Sequence, residues 1–170
     1  MSAPATVPAT PANATPAAAS APALSLSNMT LDVVQEIHVA APIETTFAAL
    51  LDQLGPLSER PDGTPMSLTL EPWPGGRWYR DLGAQDGHFW GHVQAIKRPT
   101  LLEITGPLFM SYPVVSNVQY RLSEEPGGTL IKFHHAALGL IQEEHRRGVN
   151  TGWSYIHSCV KSRAEAARKR

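Results

Sequence analysis

The hydrophobic period changes within a few residues near the end of the chain, and this change constrains the fold more than any other feature. In TLIKFHH (129–135), Ile131, Phe133 and His135 alternate with other residues and share one face, which predicts a strand. From about Gln142 onward the apolar residues recur at helical spacing. That stripe comprises His145, Val149, Trp153, Ile156, Val160, Ala164 and Ala167. A long one-sided helix needs an apolar surface to cover, which the preceding strands must supply.

The upstream sequence predicts those strands and one helix. LDVVQEIHV (31–39) alternates, with Leu31, Val33, Gln35, Ile37 and Val39 on one face. A helix is predicted from Pro42 to the residue before Gly55. Further strands are predicted at 66–73, 77–82, 88–98, 100–106, 114–125 and 129–135, separated by turns at 74–76, 83–87 and 126–128. This order favours an α+β fold, in which a curved antiparallel sheet packs against the C-terminal helix.

Composition limits the domain organisation and the partners. The 170 residues suit one domain, and 42% hydrophobic with 17% charged residues is typical of a globular chain. Residues 1–28 are an Ala/Pro-rich low-complexity tail that we expect to be disordered, with one domain over 29–170; Met29 is an alternative start of the protein. A net charge of −1 gives no field to recruit nucleic acid, and no run approaches the about 20 apolar residues of a membrane span. Without a signal peptide pattern, the expected location is cytoplasmic.

Several chemistries are excluded by spacing. His134 and His135 project to opposite faces of one strand, and His88 and His92 would stand about 13 Å apart on a regular strand, so neither pair suits one metal ion. The chain has no G-x-S-x-G motif, its glycine-rich turns carry no Lys-Ser/Thr pair, and its single cysteine, Cys159, forms no internal disulfide. The sequence therefore predicts no metal and no cofactor.

Several motifs in order resemble a known superfamily. They are HVAAPIETTFAALLD (38–52), EPWPGGRWYRDLG (71–83), GHFWGHVQAIKRPTLLEITGP (87–107), GGTLIKFHHAALG (127–139) and GW (152–153). Together they resemble the SRPBCC (START/Bet v 1-like, helix-grip) superfamily, in the branch related to the C-terminal domain of the activator of the Hsp90 ATPase. The resemblance covers roughly residues 31–165.

The resemblance implies a helix-grip fold: a six- to seven-stranded sheet around the C-terminal helix, one or two short helices after the first strand, and a hydrophobic cavity between sheet and helix. The leading hypothesis is a protein that binds a small apolar or aromatic molecule in that cavity. The residues predicted to contact the ligand are Trp78, Arg80, Trp90, Tyr120, Phe133, His135, Trp153, Ile156 and His157.

Three alternatives remain open. His135 either orients a ligand, or acts as general acid or base in a polyketide cyclase-, aromatase- or hydrolase-like enzyme with Arg80, Tyr120 or Tyr112, or is a hydrogen-bonded core histidine. A co-chaperone acting on Hsp90 ranks lower, because the activator has a second, N-terminal domain that residues 1–30 do not resemble. The apolar loop 106–113 is either a lid over the cavity or a homodimer contact.

Overall fold

A single antiparallel sheet of seven strands forms the frame of the described part of the chain. The computed structural model describes residues 25–168. The elements are α1 (Leu26–Met29), β1 (Thr30–Val39), α2 (Ile43–Leu54), β2 (Leu68–Leu70), β3 (Arg77–Gly83), β4 (Asp86–Lys97), β5 (Leu101–Gly106), β6 (Val114–Glu125), β7 (Gly128–Gly139) and α3 (Glu143–Ala167). The strand order is β1-β7-β6-β5-β4-β3-β2. The predicted α+β helix-grip fold is confirmed.

The strands follow the predicted alternation closely. On β1, Leu31, Val33 and Val39 are buried and Gln35 and Ile37 are partly buried, whereas the alternate residues from Thr30 to His38 are exposed. β7 runs four residues beyond the predicted His135 because Ala136–Gly139 continue to pair with β1 and β6. β2 is shorter than predicted and keeps only Leu68–Leu70.

The last four residues of the predicted N-terminal tail belong to the described part of the chain. Residues 1–24 lie outside the described residues, so most of the predicted tail does too. Its last residues form the helical turn α1, which Ser25 begins by accepting a hydrogen bond from the Asn28 amide. A serine at the N-cap satisfies one of the free amides of a helix start, which favours a helical turn at this position.

Helix α3 lies across the inner face of the sheet through the predicted stripe, with two corrections. Val149, Trp153, Val160 and Ala164 are buried as expected. Ala167, in the last turn of the helix, is exposed. Ile156 is only partly buried, and the neighbouring His157 is buried instead.

A bulge in β4 separates two histidines that a regular strand would place on one face. The β3–β4 register passes from Trp78↔Gly91 to Tyr79↔Phe89, so Trp90 is the extra residue. Because an extra residue reverses the alternation, His88 reaches Trp90 on the inner side while His92 lies exposed beside Phe89. Gly91 permits the close approach of β5 here, since a Cβ on Gly91 would lie 2.6 Å from the Thr105 carbonyl oxygen.

Within residues 25–168, no helix combines the length and the apolar character that crossing a membrane requires.

Candidate functional site

The centre of the molecule is a cluster of rings between β6, β7 and α3. The Phe133 ring lies 4.9 Å from Tyr120, 4.7 Å from Trp153 and 4.5 Å from His157, measured between centroids. Along with His135 these side chains are at most 2% exposed. Five of the nine predicted site residues therefore come together, and their rings pack on one another between sheet and helix.

His135 and Trp153 join the last strand to the helix. Trp153 Nε1 donates a hydrogen bond to His135 Nδ1 over 3.0 Å. Because Nδ1 accepts, the neutral imidazole carries its proton on Nε2, and this buried Nε2 has no partner among the described residues. Burial, with a smaller contribution from His134, lowers the pKa of His135 to about 4. The ring is neutral near pH 7 and offers one unused donor.

A second buried polar atom without a partner lies one strand away. Ser116 on β6 is 1% exposed, and its Oγ has no hydrogen bond within the described residues. The register pairs Ser116 with Ala137 and Val118 with His135, so Ser116 and His135 are diagonal neighbours on the inner face. Buried polar atoms are nearly always paired, and two unpaired ones on adjacent strands suit a polar group that is not part of the chain.

His157 connects the ring cluster with the surface. The Tyr120 hydroxyl donates to His157 Nε2 over 3.3 Å, and His157 Nδ1 donates to Gln35 Oε1 over 2.6 Å. Gln35 Nε2 in turn donates to Asn150 and Ser154 on α3. Burial lowers the pKa of His157 to about 4 and raises the pKa of Tyr120. The chain of bonds ends in a surface groove of about 500 Å³ between β1 and α3.

A second aromatic group lies toward β3 and β4. Trp78 and Trp90 pack edge to face with centroids 4.9 Å apart, and Trp78 Nε1 donates to the Leu54 carbonyl. Phe109 connects this group with the central cluster, since its ring lies 5.9 Å from Trp90 and 6.4 Å from Trp153. These contacts are looser than those around Phe133, and Phe109 is only partly buried. Phe109 is therefore the partly buried ring that joins the two aromatic groups.

The loop at 107–113 closes this end of the interior. Its Leu108 and Met110 side chains are buried within their own chain rather than exposed. The Tyr112 hydroxyl lies 2.9 Å from His145 Nδ1 in the first turn of α3, and Phe109 contacts the same imidazole edge to face. The loop is thus fastened to the beginning of α3 through His145.

Arg80 lies apart from the central cluster. It is four strand positions from His135 in the sheet order, about 19 Å in a flat sheet. Tyr120 bonds to His157 and Tyr112 to His145, so the structure brings none of the three predicted enzyme partners into hydrogen bonding with His135. Among residues 25–168, no group of three or more His, Cys, Asp or Glu is placed to hold a metal ion.

Sequence reasoning missed some residues of this region. Gln35 and Ser116 each interrupt an apolar strand face. A polar residue at an inward position is the signal by which the sequence could have identified them as site residues. The contact between Phe109 and His145 could not be predicted, because it depends on how the loop folds over α3. The inward position of His88 was not predicted, because β4 was taken to be a regular strand.

Comparison with known proteins agrees with the fold. A family model described as Activator of Hsp90 ATPase homolog 1-like protein matches residues 40–162. No curated protein matches the chain. An uncharacterised protein from Rhizobium leguminosarum has a similar structure, with a TM-score of 0.62 at 19% identity over 81% of this chain and 95% of the other.

Two further solved structures share the fold. CalU16 from Micromonospora echinospora gives a TM-score of 0.55 at 23% identity, over 76% of this chain and 71% of its own. Ara h 8.0201 gives 0.61 at 15% identity, over 81% of this chain and 99% of its own. These identities establish the fold alone, whereas the family model covers most of the chain. The chain therefore belongs to the Activator of Hsp90 ATPase homolog 1-like family, in the SRPBCC superfamily.

Proposed function

We propose that this protein binds a small aromatic or apolar molecule between the sheet and α3, at the position that the Phe109 ring occupies. The supporting observation is the pair of buried, unpartnered polar atoms, His135 Nε2 and Ser116 Oγ, on the inner face near this end. A ligand with one hydrogen-bond acceptor would satisfy the His135 donor. Such a pocket, mostly apolar with a few placed polar groups, is typical of small-molecule sites.

The route to this site is the loop at 107–113. The loop is held to α3 by the Tyr112–His145 bond and by Phe109, both near the surface. The first half of α3 contains Gly148 and Gly152, and each glycine disfavours a helix interior by about 1 kcal/mol relative to alanine. A loop fastened to a weak helical segment can open at low cost, and we assign it the role of a lid.

Binding is favoured over catalysis by the surroundings of His135. Its one hydrogen-bond partner in the described structure is the Trp153 indole, which cannot exchange a proton with substrate as a carboxylate or a second histidine would. In the binding proposal, replacing His135 by Ala changes ligand affinity. A cyclase or hydrolase would instead lose all turnover in that variant.

Two measurements test the proposal. Native mass spectrometry of gently purified protein would detect a co-purified molecule. Isothermal titration calorimetry with 2-naphthamide, an aromatic probe with a hydrogen-bond acceptor, should give one site and a negative heat-capacity change, the mark of apolar burial. Phe109→Ala should bind the probe more tightly, because the probe no longer displaces a ring. Phe89→Ala, which removes an exposed ring from the outer face, is the matched control. No saturable heat with either wild type or Phe109→Ala would refute the proposal.

An action on Hsp90 is the second candidate, supported by the description of the family that matches residues 40–162. It predicts that the purified protein stimulates the Hsp90 ATPase; an unchanged rate would exclude it. The homodimer alternative for the loop gains no support from Leu108 and Met110, which their own chain buries. A cytoplasmic location remains a prediction.

A further inference from the structure

We infer that the ligand carries a carboxylate, and that Arg80, His88 and Ser111 recognise it at the end of the β3–β4 hairpin. This inference rests on the proposed function and adds the chemical class of the ligand. It starts from Arg80, which forms no hydrogen bond and no ion pair within residues 25–168, although its Nε is shielded from solvent. A guanidinium has five donors and no acceptor, and a shielded Nε–H without an acceptor leaves one of these donors available to a ligand.

His88 supplies a second donor beside Arg80. The two residues are direct partners in the antiparallel β3–β4 pair, which places their side chains on the same face. Trp90 Nε1 donates to His88 Nδ1 over 3.1 Å, so the neutral imidazole carries its proton on Nε2. That Nε2 lies 3.4 Å from Ser111 Oγ, a long contact that a stronger acceptor can replace. Donors at neighbouring positions of β3, β4 and the lid suit an oxyanion.

The position of the donors identifies a carboxylate on an apolar body rather than a free anion. The Trp90 that orients His88 also contacts Phe109, the ring that the ligand replaces in the proposed site. An elongated aromatic acid can therefore place its ring near Trp90 and its carboxylate toward His88 and Arg80. Because Arg80 lies about 19 Å from His135 in a flat sheet, this carboxylate is a different group from the acceptor that meets His135. Arg80 and His88 both line one surface depression of about 570 Å³, which is open to solvent.

The other charged residues of this depression are already engaged or lie at the hairpin end. Arg77 is bound to the Glu71 carboxylate, and that contact lowers the pKa of Glu71 to about 2. Asp81 accepts the Gly83 amide, and as the neighbour of Arg80 along the strand it projects to the other face. Asp86 is exposed at the hairpin end. Neither Asp81 nor Asp86 forms an ion pair with Arg80 among the described residues.

The test compares 2-naphthoate with its neutral analogue 2-naphthamide by calorimetry. Wild-type protein should bind the naphthoate roughly 10- to 100-fold more tightly, as expected for charge-assisted hydrogen bonds. Arg80→Gln should abolish this preference, because it weakens the binding of 2-naphthoate far more than that of the neutral 2-naphthamide. Arg80→Lys, which keeps the charge without the two-pronged geometry, should retain part of the preference. Arg77→Gln, on the same strand, should leave it intact.

The outcomes separate the two claims. Equal affinity of wild type for the two probes, or a naphthoate preference that survives Arg80→Gln, overturns the carboxylate site and leaves the proposed function standing. Binding of neither probe overturns both. Inorganic phosphate should not displace 2-naphthoate at equal concentration; full displacement would overturn the carboxylate assignment in favour of a free-anion site. Circular dichroism of Arg80→Gln and Arg80→Lys verifies that at least one variant is folded.

Discussion

Trp153 on α3 and His135 on β7 form a buried hydrogen bond of 3.0 Å, with neither side chain more than 1% exposed. This bond fixes the helix to the last strand and sets the tautomer of the imidazole. Because the indole can only donate, His135 must present its own donor on Nε2, toward the interior. The same contact therefore holds the fold together and creates the unused polar group on which the proposed binding site depends.

A double-mutant cycle should reveal this bond as an energetic coupling. Trp153→Phe leaves His135 Nδ1 buried without a donor, whereas Trp153→Phe combined with His135→Leu removes both polar partners. We expect the double variant to be more stable than the sum of the single losses by about 0.5–3 kcal/mol in urea unfolding. The cycle of Trp78→Phe with His135→Leu, two residues on distant strands, should be additive. Additivity in both cycles would contradict the account.

Stability should fall as the pH is lowered from 6.5 to 4. Burial lowers the pKa of His135 and of His157 to about 4, from about 6.5 in an unfolded chain. The unfolded state therefore binds protons first, and each histidine can contribute a slope of up to about 1.4 kcal/mol per pH unit in this window. Above pH 6.5 both rings are neutral in the folded and the unfolded state, and their full contribution to the free energy of unfolding is present. Below pH 4 both states are protonated, and the free energy of unfolding falls no further on account of these two histidines.

Urea unfolding across this pH range measures the effect. His135→Leu should show a shallower loss than wild type, since one of the two buried imidazoles is gone. His92→Leu removes an exposed histidine that forms no ion pair among the described residues and is the matched control. A profile for His135→Leu parallel to that of wild type would show that His135 does not titrate as described.

The β3–β4 hairpin should tolerate a better turn sequence. Ala84 and Gln85 both have positive φ, 51° and 68°, between the paired residues Gly83 and Asp86. A two-residue turn with two positive φ angles favours Asn-Gly, because other residues are strained there. Ala84→Asn with Gln85→Gly should stabilise the protein by about 1 kcal/mol in thermal unfolding. A loss of stability would mean that the turn has another geometry.

The glycines of α3 should govern how readily the lid opens. A Cβ added at Gly148 or Gly152 meets no atom within 4 Å. Gly148→Ala with Gly152→Ala should therefore stabilise the helix by up to about 2 kcal/mol. Stopped-flow mixing should then show slower association of 2-naphthamide, because the segment that holds His145 opens less often. Faster or unchanged association would show that the stability of α3 does not control the opening of the lid.

The sequence predicts most of the strands and helices, because burial on one face produces a periodic pattern of apolar residues. Alternation in β1 and β6 and the stripe on α3 are local patterns, and the structure follows them. The bulge at Trp90 left no such record, since it depends on the close approach of Gly91 to β5, and the faces of His88 and His92 were wrong for that reason. His157 could be placed in the site but not its partner Gln35, because α3 meets β1 only in the folded chain.

The central claim is that a ligand ring replaces Phe109 between Trp90 and Trp153. The chain has four tryptophans, and each gives its own indole N–H signal in a ¹⁵N-correlated NMR spectrum. Titration with 2-naphthamide should shift the signals of Trp90 and Trp153 with one saturation curve. The signal of Trp73, whose side chain is 54% exposed, should not shift. Saturable binding that moves the Trp73 signal alone, or no shift at Trp90 and Trp153, would contradict the account.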